Sequence, residues 1–137
     1  MRIGLGLFII AHGLVHAILA IAPNPANPDA KPGVFFTSAD RSWLLPKLGL
    51  NAAPVLWVGI ILVVVSTLGF VLAGLGIFGV AGLSTIGRWI IVISSLASLL
   101  LLSLFWHPWL LVGVLIDAGI LIALLWLKLP LVYWVGS

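Results

Sequence analysis

The sequence predicts an all-α protein, an integral membrane four-helix bundle running up-down-up-down, with one long interfacial loop between helices 1 and 2. Three observations predict it. The composition is 64% hydrophobic and only 7% charged, with a mean hydropathy of +1.38, whereas a soluble domain carries about 25% charged residues to wet its surface. Four apolar stretches, roughly 3–22, 54–79, 88–106 and 109–127, each approach the ~20 residues that cross ~30 Å of hydrocarbon at 1.5 Å per residue. The links after the second and third stretches are short, which forces antiparallel neighbours. A closed barrel is excluded because runs such as Ile60-Ile61-Leu62-Val63-Val64-Val65 lack the alternation a barrel strand requires. The 137 residues form a single transmembrane domain, with lipid covering most apolar atoms in place of a large core.

The first helix opens behind Arg2 and ends in Ala20-Ile21-Ala22, a tripeptide like those that signal peptidases cut. The apolar run exceeds the usual 7–15 residues of a signal core and contains His12 and His16, so it is expected to remain as a span.

Residues 23–53 are the long connection. Pro23, Pro25, Pro28 and Pro32 fix an extended exit from the first helix. Phe35-Phe36 and Trp43-Leu44-Leu45 then flank Ser38-Ala39-Asp40-Arg41, where Ser38 is placed to cap a short amphipathic helix limited by Pro46. An interfacial anchor is the first reading, and a lid over one mouth of the bundle the second.

The other links are Gly79–Gly87 and Trp106-His107-Pro108-Trp109. With the up-down-up-down topology, both termini lie on one face. Trp43, Trp57, Trp106 and Trp109 gather near one membrane surface and Trp89, Trp126 and Trp134 near the other, as belt residues do. His107 reads as a belt residue as well. Arg2, Arg88 and Lys128 lie on the terminal face against Lys31, Arg41 and Lys47. Their closeness to helix ends, with the amino-terminal charge, favours cytoplasmic termini in a prokaryotic inner membrane.

Charge and composition exclude several functions. The formal charge of +3 comes from six scattered basic residues, which form no nucleic-acid-binding stripe. With no cysteine there is no disulfide, thiolate metal site or thiol nucleophile. No Walker loop, paired carboxylates or nucleophile beside a base is present, so a non-enzymatic protein is expected.

The chemistry-bearing residues lie inside the spans. His12 and His16 are four residues apart and share one face of their helix. They sit ~13 and ~20 Å from the terminal face, and Asp117, eight residues into the fourth helix from the opposite face, reaches the same depth. Ionisable groups facing lipid are costly, so all three are expected to turn inward and meet. Ser66, Thr67 and Ser98, with Ser94 and Ser95, fall at similar depth and are candidates to complete a polar cluster, the competing reading being a hydroxyl bonded back to its own helix. A buried hydrogen bond tying the first helix to the fourth is the leading reading of the cluster. The others are a metal site on His12, His16 and Asp117, haem or chlorin ligation by His12 or His16, and a proton or substrate pathway. Gly13-Leu14-Val15 between the histidines lacks the glutamate of H-E-x-x-H, and two histidines on one helix face cannot clamp both sides of one macrocycle.

Small residues recur at four-residue spacing as Gly13/Ala17, Gly69/Ala73, Ser94/Ser98 and Gly119/Ala123, which lets helices approach closely. Gly119 lies ~200° round its helix from Asp117, so with Ala123 it offers either an outer groove for a helix of a partner or a close-packing face for the first or third helix of the same chain. The expected partners are the lipid bilayer and a homo-oligomer or larger membrane complex.

Through His12-Gly13-Leu14-Val15-His16 in the first helix, Arg41-Ser42-Trp43-Leu44-Leu45 before the second and Ile116-Asp117-Ala118-Gly119 in the fourth, the chain resembles uncharacterised small prokaryotic four-helix membrane proteins with an N-terminal HGLxH motif. It is also superficially similar to DoxX-type membrane proteins. The resemblance covers most of the length, chiefly as hydropathy. It implies an inner-membrane four-helix protein and carries over no catalytic residue. The function expected is that of a structural or accessory subunit working through helix packing.

Overall fold

A computed structural model describes residues 2–21, 36 and 41–127. All regular structure among them is helical: α1 Arg2–Ile21, a 3-10 turn Leu45–Leu48, α2 Ala52–Ile77, α3 Leu83–Leu104, a second 3-10 turn Pro108–Leu110, and α4 Leu111–Leu121 continued by a π-helical turn Ile122–Trp126. Four helices of 20, 26, 22 and 19 residues, the last counted from Pro108 to Trp126, are long and apolar enough to cross a membrane.

The expected spans agree with these helices apart from their ends. α2 ends at Ile77 rather than residue 79 because Gly79 turns the chain at φ 91°, a conformation glycine adopts freely. α3 starts five residues before the expected residue 88, directly after Gly82 at φ 81°. Between α1 and α2, Ser38 lies outside the described residues, as do Lys31, Lys128 and Trp134. Pro46 stands in the first turn of the 3-10 element Leu45–Leu48 instead of terminating a helix before it. Its fixed φ suits that position, and Ser42 Oγ caps the turn by accepting from Leu45 N–H at 3.1 Å.

Each helix turns one face inward at the helical period. In α2 the buried positions are Val55, Gly59, Val63, Ser66, Phe70, Ala73 and Ile77, among others, three and four residues apart. Close backbone packing joins α1 to α2, α2 to α3 and α3 to α4, while α1 and α4 make no comparable approach. Glycine sets the first contact: a Cβ on Gly13 would stand 2.7 Å from Phe70 Cβ and 3.0 Å from the Thr67 carbonyl. Arginines tie helix ends together. Arg2 Nη2 donates to the Ile77 carbonyl at 3.0 Å, and Arg88 Nη2 to the Leu124 carbonyl at 2.7 Å. Both place a cation at a helix C-terminus, where the backbone dipole favours it.

Two apolar layers make the core. One holds Ile9, Phe70, Ile77, Ile91 and Leu124; the other holds Phe36, Leu45, Val55, Leu101 and Phe105. Trp43 adds a hydrogen bond from Nε1 to the Ser103 carbonyl at 2.6 Å. The outer faces are apolar too, with Leu7, Ile61, Ile93 and Leu115 all more than half exposed, far more hydrocarbon than a soluble monomer shows to water.

Candidate functional site

Between the two apolar layers lies a polar one. His12 and His16 project from one face of α1, their rings 5.2 Å apart and nearly perpendicular. The Phe70 ring of α2 stands 4.9 Å from His12 and 6.1 Å from His16. It closes the α2 side of the pair, and the absence of a side chain at Gly13 is what admits it.

Four hydrogen bonds link the rest. His12 Nε2 lies 3.0 Å from Asp117 Oδ1, Ser98 Oγ 2.5 Å from Asp117 Oδ2, His16 Nε2 2.6 Å from Ser98 Oγ, and His16 Nδ1 3.0 Å from the His12 carbonyl. The network therefore joins α1, α3 and α4. His12 and His16 are buried, and Ser98 and Asp117 are wholly so.

Counting hydrogens gives the fewest the network needs. Four bonds need four hydrogens, and Ser98 with two neutral imidazoles supplies three. The fourth sits on Asp117 as a carboxylic acid, or on His16 as an imidazolium facing the carboxylate. With this smallest set the net charge is zero, the condition under which an apolar interior tolerates such groups. The two arrangements interconvert by moving one hydrogen from Asp117 to Ser98 and another from Ser98 to His16. In both, His12 donates through Nε2 and its Nδ1 is left as an acceptor. That atom makes no hydrogen bond among the described residues.

The other hydroxyls behave differently. Ser94 Oγ donates to its own helix at the Ile90 carbonyl, 2.7 Å away, the back-bonding usual for such residues. Ser66, Thr67 and Ser95 bury hydroxyls without a hydrogen-bond partner among the described residues. Of the serines and threonine expected at this depth, only Ser98 is hydrogen-bonded to the histidines and Asp117. His107 caps the turn before α4 by accepting from Trp109 N–H at 3.3 Å. Sequence reasoning missed Phe70; its signal was an aromatic residue in mid-span, away from the helix ends where belt residues sit.

A cavity of about 210 Å³ adjoins the network, lined by His12, Val15 and His16 of α1, Leu102 of α3 and Gly113 and Ile116 of α4. It lies on the α1–α4 seam, and no α2 residue lines it.

As metal ligands, one atom each of His12, His16 and Asp117 lies within 4.8 Å of the others. Coordination at 2.0–2.2 Å would require these groups to give up the hydrogen bonds they make to one another and to Ser98. Haem ligation by His16 is disfavoured, because both its ring nitrogens are engaged.

Comparison with protein families, curated proteins and solved structures finds no match to this chain.

Proposed function

We propose that the protein is an integral four-helix protein of a prokaryotic inner membrane, crossing up-down-up-down with cytoplasmic termini. It serves as a structural or accessory subunit through helix packing. The observation that carries this reading is the buried network of His12, His16, Ser98 and Asp117, whose members, His12 Nδ1 apart, use their polar side-chain atoms on one another and on the His12 carbonyl. Such a network acts as glue between helices. It offers no exposed nucleophile, and no water-accessible acid or base at its centre.

The reading keeps the chain beside the small prokaryotic four-helix proteins that its HGLxH segment resembles. The outer partner surface is the α4 face at Gly119, where an added Cβ meets no atom within 4 Å. A helix of a second copy, or of a larger complex, fits a face this smooth.

Three experiments test this. The chain has no cysteine, so Ala81→Cys and Asn51→Cys report cleanly to a membrane-impermeant maleimide. Labelling of the two from opposite sides of the membrane is expected, and labelling of both from one side refutes the topology. Native mass measurement in lipid discs is expected to give an oligomer that Gly119→Leu dissociates. A lone monomer, with nothing co-purifying from the membrane, overturns the accessory reading. Stoichiometric zinc or iron on elemental analysis would replace the hydrogen-bonded lock with a metal centre.

The movable hydrogen favours a second reading, a proton relay running through Asp117, Ser98 and His16. Proton flux in proteoliposomes that Asp117→Asn abolishes is its signature; equal flux in both proteins refutes it.

A further inference from the structure

We infer that the cavity on the α1–α4 seam is a binding site for a membrane-dissolved molecule with a single ring and a hydroxyl group, entering sideways from the lipid. The inference rests on the membrane-crossing reading and goes beyond the packing role.

Three observations carry it. The first is access. α1 and α4 do not pack closely, and the rim residues Val15, Val112 and Trp109 are 46, 66 and 73% exposed. They stand on the outer, apolar surface of the bundle, so the opening faces acyl chains and not water. The second is size. A cavity of about 210 Å³ exceeds the roughly 150 Å³ that suffices for benzene, and falls below the ~300–1,000 Å³ of sites for larger ligands. One substituted ring fits, and any tail it carries extends between the rim residues into lipid.

The third observation selects the head group. His12 lines the cavity, and its Nε2 hydrogen is committed to Asp117. Nδ1 is therefore a lone-pair acceptor without a partner among the described residues. An acceptor in an apolar pocket calls for a donor. A phenol or a ring-bearing alcohol supplies one, whereas a ketone or ether of the same shape does not. In hydrocarbon the alternative for that hydroxyl is no hydrogen bond at all, so the discrimination is large.

The test uses the full chain in phosphatidylcholine discs, with 4-hexylphenol as the probe and 4-hexylanisole as its methylated counterpart. Saturable binding of the phenol above the level of empty discs is expected, with the anisole at least tenfold weaker. The nitrogen resonance of His12 Nδ1 is expected to shift with the phenol only. Gly113→Leu fills the cavity and should weaken phenol binding at least tenfold, while Leu14→Phe, outside the cavity on the same helix, should not. If Gly113→Leu fails to fold, Val15→Phe at the rim takes its place. Phenol uptake equal to empty discs, equal binding of the two probes, or binding unchanged by the filling variant overturns the site. Cysteine labelling tests membrane crossing separately, so a negative result here leaves that reading intact.

Discussion

His12 Nε2 and Asp117 Oδ1 meet at 3.0 Å across 105 residues of sequence, and this contact ties the first helix to the last. If the network is neutral, asparagine can replace the acid form of Asp117 atom for atom. Its carbonyl accepts from His12, its amide donates to Ser98, and Ser98 still donates to His16. Asp117→Asn is therefore expected to melt within about 1 kcal/mol of the parent in detergent, while Asp117→Ala, which orphans the His12 N–H, loses about 1–3 kcal/mol. Equal loss in both variants would show that a full negative charge is required.

Serines at one depth separate by partner. Ser98→Ala breaks the bridge between His16 and Asp117 and is expected to cost about 1–3 kcal/mol. Ser66→Ala and Ser95→Ala remove hydroxyls that are buried without a partner, and should leave stability unchanged or raise it by up to about 1 kcal/mol. Chemical denaturation of the three variants side by side measures the contrast.

The glycines divide in the same way. A side chain at Gly13 runs into the Phe70 Cβ and the Thr67 carbonyl, and a backbone atom cannot swing aside. Gly13→Leu should push α1 off α2 and cost about 1–3 kcal/mol or more. At Gly119 an added Cβ meets no atom of the described residues within 4 Å, so Gly119→Leu should leave the melting temperature of the protomer unchanged. A comparable loss in both variants would contradict the packing described.

Phe36 is fully buried beside Phe105, their rings 6.2 Å apart and close to perpendicular. Phe36→Ala is expected to cost about 3–5 kcal/mol, the range for a large aromatic removed from a packed interior. A cost below about 1 kcal/mol would mean that this end of the bundle is held by lipid instead.

Hydropathy made the four helices legible, because span length and apolar content follow directly from the residues. It also gave depth, which is why His12, His16 and Asp117 were expected at one level. It did not give rotation about the helix axis. Ser94, Ser95 and Ser98 share a depth on α3, and only packing decides that Ser98 bridges while Ser94 bonds to its own backbone. Phe70 was missed for the same reason: α2 is apolar on every side, so only its mid-span position, and no hydropathy contrast, set it apart. The helix ends shifted where Gly79 and Gly82 take left-handed backbone conformations, which apolar content does not register. The cavity was beyond sequence reasoning, since it arises from how far apart two helices stand.

That spacing also bears on how the protein is assembled. On the membrane-crossing reading, α1, α2 and α3 can curl together as soon as they are inserted, each against its predecessor. The last helix, by contrast, brings the carboxyl on which His12 and Ser98 depend. Until it arrives, the imidazole of His12 has the rings of Phe8, His16 and Phe70 beside it and no partner among the described residues for its Nε2 hydrogen. Docking of the final helix is thus the step that commits the chain to its finished form, and a nascent protein truncated before residue 117 should be the form that quality-control proteases remove.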